Sequence, residues 1–194
     1  MARPREFDEE QALERAAVIF WRQGYAGTSI GDLVEATGLQ RQSLYNAFGD
    51  KQGLFSAALA HYRARGNALA APLLSSEAGL PELREFILAS LREQRRLDCG
   101  ACMLIKTAFD PAMQDQQIKA LVHESARMWR VSFARVLGQA RQRGELPPRG
   151  DDTTLANYLF TVHNGLSALE RTGASMAEIE AALDHAIATL RHAA

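Results

Sequence analysis

Residues 37–51, TGLQRQSLYNAFGDK, decide how this chain is read. Between Gly38 and Phe48 stand Gln40, Arg41, Gln42, Ser43, Tyr45 and Asn46, while Leu44 and Phe48 lie four residues apart. That spacing predicts a short helix over 40–48 with one apolar edge turned inward. A surface helix usually fills its polar face with Glu and Lys, which favour helix and solubility. This one carries a single charge and many side chains that both donate and accept hydrogen bonds. A plain solvated face is the ordinary account of a polar helix; the chemistry of these side chains points instead to a face that reads a partner.

Outward from this stretch, helical periodicity dominates. Toward the N-terminus, Leu13, Ala16, Ala17 and Phe20 mark an apolar stripe that begins at Asp8, with Gln11 placed to complete a capping box, and Gly24 is expected to end that helix. A second helix starts at Thr28 or Ser29, carries Ile30, Leu33 and Val34, and stops at Gly38. Residues 51–70 read as a connecting helix bearing Leu54, Ala58 and Tyr62. Pro81 stands where a first-turn proline belongs, ahead of Leu83, Phe86, Ile87 and Leu91. A short segment, 101–109, runs into Pro111. Ile118, Leu121, Val122, Ser125, Met128, Trp129, Phe133, Val136 and Leu137 then trace a long amphipathic helix. Residues 144–150, with Pro147-Pro148, form the clearest break. Two helices over 155–169 and 179–190 close the chain, the second capped by Ser175 with Glu178. No stretch alternates like a strand and no internal repeat is evident. The expected class is all-α.

The composition agrees: 194 residues, 47% hydrophobic and 23% charged, are ordinary for a globular chain with a substantial core. No apolar run approaches bilayer length, so no membrane span is expected, and Met1-Ala2-Arg3-Pro4-Arg5-Glu6 lacks the apolar region of a secretory signal. Two cysteines make no disulfide scaffold, which favours a reducing, cytoplasmic setting. A net charge of −1 argues neither for nor against nucleic acid.

The order of helix 28–37, turn at Gly38 and helix 40–48 has the spacing of a helix-turn-helix, whose second helix enters the DNA major groove. Arg forks onto guanine, and Gln or Asn binds adenine through two bonds. Gln40, Arg41, Gln42 and Asn46 are therefore candidate base readers. Thr28, Ser43, Tyr45 and Lys51 are candidates for phosphate, whose contacts fix register rather than sequence, and Ser29 is a further candidate DNA contact. Residues 1–51 hold six Lys/Arg against eight Asp/Glu, an unfavourable balance for DNA. The acids, however, gather at Glu6, Asp8, Glu9, Glu10 and Glu14, and 36–48 contains none. Arg3-Pro4-Arg5 offers a minor-groove arm, but two arginines without a third basic residue read more simply as a disordered tail.

Residues 16–55, AAVIFWRQGYAGTSIGDLVEATGLQRQSLYNAFGDKQGLF, resemble the DNA-binding domain of the TetR/AcrR family of transcriptional regulators. The matching marks are Phe20, Gly24-Tyr25, Thr28-Ser29-Ile30, Gly38, Leu44-Tyr45, Phe48 and Lys51. The resemblance implies about nine helices, with residues 1–50 as a three-helix DNA-binding domain and 51–194 as a ligand-binding and dimerising bundle. It further implies a homodimer on a palindromic double-stranded operator, released by a small-molecule inducer that the sequence does not name. One departure stands at Gln40, where the family commonly has Ser or Thr, so the cap of the reading helix is weaker here.

Pockets between bundled helices are mainly apolar with a few polar anchors. Tyr62, Phe86, Cys102, Phe109, Met113, His123, Trp129, Phe133, Tyr158 and His163 supply such a set. The histidines have no nucleophile, oxyanion device or phosphate loop near them in sequence, so no enzyme and no cofactor is expected. Cys99-Gly-Ala-Cys102 admits two accounts: a pair of small buried thiols at a tight turn, or a redox or electrophile sensor with a depressed thiol pKa, for which only a helix start and Lys106 offer support. Zinc would need further ligands, and none accompanies the pair. A helical binding module with no DNA role is the remaining alternative.

Overall fold

The computed structural model describes residues 8–148 and 150–192, with the side chain of Met113 left aside. Among these residues the chain forms nine α-helices and no strand. They are α1 (Glu9–Gly27), α2 (Ile30–Thr37), α3 (Arg41–Phe48), α4 (Lys51–Leu69), α5 (Leu80–Arg96), α6 (Met103–Ala108), α7 (Gln116–Gln142), α8 (Asp152–Arg171) and α9 (Met176–Leu190). Single 3-10 turns at Ala71–Leu74 and Pro111–Gln114 lead into α5 and α7. The arginine arm at residues 3–5 lies outside the described residues. No described helix is long and apolar enough to cross a membrane.

Local signals explain most boundaries. The Asp8 carboxylate accepts from the Gln11 amide and starts α1. Ser29 and Asp32 form a reciprocal capping box on α2, and these bonds hold the Asp32 carboxyl below its usual pKa. Gly38, at φ 71°, ends α2 in the left-handed conformation with its N–H donating to the Val34 carbonyl. Gly24 does break α1, at φ 76° and ψ 170°, but helical turns resume as far as Gly27. The break is supported from α6 and the turn after it. Lys106 Nζ donates to the Trp21 and Arg22 carbonyls, and the Asp110 carboxylate accepts from the Tyr25 and Ala26 amides. A helix interrupted at one glycine thus has both its loose carbonyls and its loose amides satisfied. α6 is shorter than expected because the chain still turns through 98–101, with Asp98 at φ 51° and the Ala101 amide bonded to the Cys99 carbonyl.

The chain divides into two compact units. The first comprises Met1–Arg65 and Met103–Val122, so it takes in more than the first fifty residues. Its centre is aromatic: Phe20 meets Phe55 edge-on at 4.9 Å, Tyr25 lies 5.1 Å from Phe55, and Trp21 packs on Tyr62 at 4.7 Å. Leu33 of α2 and Leu44 of α3 are fully buried, anchoring α3 from its inner edge. The second unit comprises Gly66–Cys102 and His123–Ala194. Its core joins Leu83, Ile87 and Leu91 of α5 to Phe133 and Leu137 of α7, Leu159 of α8 and Leu183 of α9. Each such side chain contributes about 1.5–3 kcal/mol through removal from water. Arg84 holds Asp184 by two bonds and Arg92 holds Glu180, tying α5 to α9 at the surface.

Candidate nucleic-acid interface and effector cavity

α3 presents Gln40, Arg41, Gln42 and Asn46 to solvent, with Ser43 and Tyr45 half-buried beside them. The side chains are paired one turn apart. Arg41 donates through Nε and Nη2 to the Tyr45 hydroxyl at 3.1 and 3.0 Å, with its guanidinium 5.4 Å from the ring centroid. Gln42 Nε2 donates to Asn46 Oδ1 at 2.9 Å. Gln40 makes no side-chain bond to the start of α3. The first amides of this helix, at the positive end of its dipole, are therefore uncapped and suited to an oxyanion such as a DNA phosphate.

The flanking candidates differ in availability. Ser29 is exposed; its Oγ accepts from the Asp32 amide and keeps its proton for another acceptor. Lys51 places Nζ 4.4 Å above the Tyr25 ring, an attraction that orients the ammonium without neutralising it. Burial first, then the carboxylates of Asp50, Asp110 and Asp115, hold the Tyr25 phenol above its usual pKa. Thr28 is placed differently from the expectation. It is 2% exposed, and its hydroxyl donates to the Gly24 carbonyl at 2.7 Å, so it secures the break in α1 rather than facing outward.

In the second unit, three of the expected pocket residues meet. Phe86 of α5 lies 5.0 Å from Trp129 and 5.9 Å from Phe133 of α7, both edge-on. These rings back a cavity of about 180 Å³, completed by Ala70, Leu73, Leu74 and Met128 and by two polar side chains, Asn67 and Ser132. His163 of α8 packs on Trp129, 5.3 Å between ring centres, and is 1% exposed. Its Nε2 is 2.7 Å from Ser90 Oγ, and Ser90 gives its own proton to the Ile87 carbonyl at 2.9 Å. Nε2 therefore carries hydrogen and donates, leaving Nδ1 a buried acceptor with no partner among the described residues. Burial pushes this imidazole down to about 4, so it is neutral at pH 7.

The other candidates are dispersed. Tyr62 packs against Trp21 in the first unit. Phe109, in the turn after α6, is 88% exposed. Tyr158 is 40% exposed, with its hydroxyl 3.4 Å from Thr189 Oγ1, and His123 is also exposed. The side chain of Met113 is outside the described set. Sequence reasoning missed Asn67, Ala70, Leu73, Leu74, Met128 and Ser132, which serve by position rather than by distinctive chemistry. It also missed Asp110, whose role depends on partners 84 and 85 residues away.

Cys99 and Cys102 are buried thiols, 2% and 5% exposed. Cys99 Sγ donates to the Leu97 carbonyl at 3.4 Å. The Lys106 ammonium donates to the Trp21 and Arg22 carbonyls of α1. Burial at a tight turn is the arrangement of structural thiols.

Comparison with known proteins accords with this arrangement. Residues 12–58 match the family model for bacterial regulatory proteins of the tetR family, and residues 79–188 match the tetracyclin repressor-like C-terminal domain. The HTH-type transcriptional repressor ComR of Escherichia coli K12 is 34% identical over 180 residues, covering 91% of this chain and 86% of its own length. The uncharacterized HTH-type transcriptional regulator YezE of Bacillus subtilis 168 is 30% identical over 197 residues, or 98% and 100% of the two chains. Among solved structures, a cysteine mutant of the TetR family transcriptional regulator CifR, complexed with a 26-base-pair double-strand operator, is similar with a TM-score of 0.77. It is 27% identical, and the match covers 97% of this chain and 100% of that one. With matches across both of its parts and a complete helix-turn-helix in α2 and α3, the chain belongs to the TetR family of bacterial regulatory proteins.

Proposed function

We propose that this protein is a transcriptional repressor that binds a palindromic double-stranded operator as a homodimer and leaves it when a small molecule occupies the cavity beside α7. The observation that carries this reading is the exposed face of α3, where Gln40, Arg41, Gln42 and Asn46 stand together on a helix fixed from behind by Leu44. Relatives point the same way: ComR is a repressor, and the CifR mutant is held on operator DNA. Residues 1–50 act as the DNA-binding domain and 51–194 as the effector and dimerisation domain. Arg41, Gln40, Gln42 and Asn46 read bases, while Ser29, Ser43, Tyr45, Lys51 and the uncapped amides of α3 engage phosphate. α8 and α9 pair with their symmetry mates through an outer face of small and apolar residues, including Gly165, Ala168, Leu169, Ala181 and Ala188.

Release follows from differential affinity: an effector that prefers a conformation with mismatched half-site spacing shifts the population away from the operator. The protein acts in the cytoplasm as a regulator and not as an enzyme. Selection of bound DNA from a random pool tests this directly. The expected product is a palindrome with half-sites about one helical turn apart or slightly more. Failure to enrich any sequence, or enrichment of a single asymmetric half-site, contradicts the proposal.

A further inference from the structure

Resting on the reading of the α7 cavity as the effector site, we infer that it selects an uncharged, single-ring aromatic molecule bearing one hydrogen-bonding group, of the phenol type, and rejects charged analogues of the same size. Volume sets the size. The cavity holds about 180 Å³, and an apolar cavity of roughly 150 Å³ takes up benzene, so one ring with a small substituent fills it. The walls set the shape. Phe86, Trp129 and Phe133 meet one another at interplanar angles of 63°, 77° and 54°, presenting edges and faces together. A guest ring can lie edge-to-face on such a surface, the arrangement aromatic pairs prefer.

Charge is excluded by the lining. Among the described residues only Asn67 and Ser132 supply polar side chains to the cavity, and no charged side chain lines it. Either can bond a single hydroxyl, but neither neutralises an ion withdrawn from water. The rim is apolar as well, with Leu74 57% and Met128 42% exposed. Arg135 donates to the Leu74 carbonyl at 2.9 Å from the exposed surface, where water and salt screen any pairing with an anion.

Calorimetric titration of the full-length protein with phenol, benzoate and benzylamine separates the charge states at nearly constant ring size. Phenol is expected to bind at least tenfold more tightly than either ion at pH 7. Ser132→Phe, which places a ring in the cavity, is expected to abolish phenol binding, and Ala70→Leu supplies a second, milder obstruction should the first variant unfold. Absence of phenol binding, equal or tighter binding of either ion, or phenol binding undiminished in a folded variant overturns the assignment. Operator release is followed in parallel by gel shift. Phenol binding without release upholds the ligand class and removes the effector role; failure of the protein to bind any selected operator refutes the repressor reading while the titration still decides the ligand.

Discussion

Replacing Asp110 by alanine tests how much the interrupted α1 depends on one side chain. Its carboxylate accepts from the Tyr25 amide at 3.0 Å, the Ala26 amide at 3.5 Å and the Ala112 amide at 2.9 Å. Hydrogen bonds to a charged acceptor contribute about 1.5–3 kcal/mol each when shielded. Asp110 is half-buried and the Ala26 amide exposed, so water takes over the longest bond and weakens the loss of the others. Two bonds at the low end give a destabilisation of about 2–3 kcal/mol for Asp110→Ala. Asp110→Asn, which keeps one oxygen but no charge, should lose about half of that. Gly24→Ala acts on the same junction by another route. Its φ of 76° with ψ of 170° lies in a region essentially restricted to glycine, at a cost of about 1–3 kcal/mol for other residues. An added Cβ would also stand 3.1 Å from Asp110 Oδ2, so the double variant should be less destabilised than the sum of the singles. Urea unfolding at fixed protein concentration measures all four variants, and hydrogen exchange at the Tyr25 amide localises the effect. If Asp110→Ala stays within about 0.5 kcal/mol of the parent and Tyr25 remains protected, the carboxylate is not what secures the break.

Other outcomes are equally specific. Arg41→Ala should weaken operator binding by about 1–3 kcal/mol and relax preference at one base position, whereas Lys51→Ala should weaken all sequences alike and flatten the salt dependence; titrations over salt and operator variants distinguish them. His163 has its folded pKa, about 4, below the usual imidazole value of about 6.5, so its contribution to stability is complete above pH 6.5 and is lost as pH falls toward 4. The loss should be about 2 kcal/mol between pH 7 and pH 5, and His163→Phe should flatten that slope in urea unfolding. Leu169→Glu, on the outer face of α8, should shift sedimentation at micromolar concentration from dimer to monomer. Cys102→Ser should still bind operator and still release it with the same small molecule; a variant that binds DNA yet ignores every effective ligand would make the thiol the sensor.

Apolar spacing made the helices legible, because each must bury one stripe, and the caps at Asp8, Ser29 and Ser175 were legible because their partners lie three residues away. The continuation of α1 past Gly24 was not, since Lys106 and Asp110 reach it from more than eighty positions further on. Phe86, Trp129 and Phe133 could be nominated as cavity walls from their size. Phe109, equally aromatic, could not be separated from them without knowing that the turn before Pro111 leaves it in solvent. Thr28 misled for a related reason: its position in a helix-turn-helix suggests phosphate, but a hydroxyl four residues from an open carbonyl bonds that carbonyl first.

Arg41 is paired with Tyr45 and Gln42 with Asn46, so three of the four proposed base readers, Arg41, Gln42 and Asn46, already hold a side-chain bond on α3. On the proposed reading, a base edge that takes one of these bonded groups competes with the inner bond, and recognition is a contest between an inner bond and an outer one. A guanine that offers two acceptors to the guanidinium outbids one phenol oxygen; a pyrimidine that offers a single bent bond does not. The refused side chain then returns to its neighbour on α3 and leaves no polar group stranded, so an incorrect step along DNA is met by retreat rather than by repulsion. On that reading the helix carries its own decoy, whose energy sets the threshold for the bases that meet Arg41, Gln42 and Asn46.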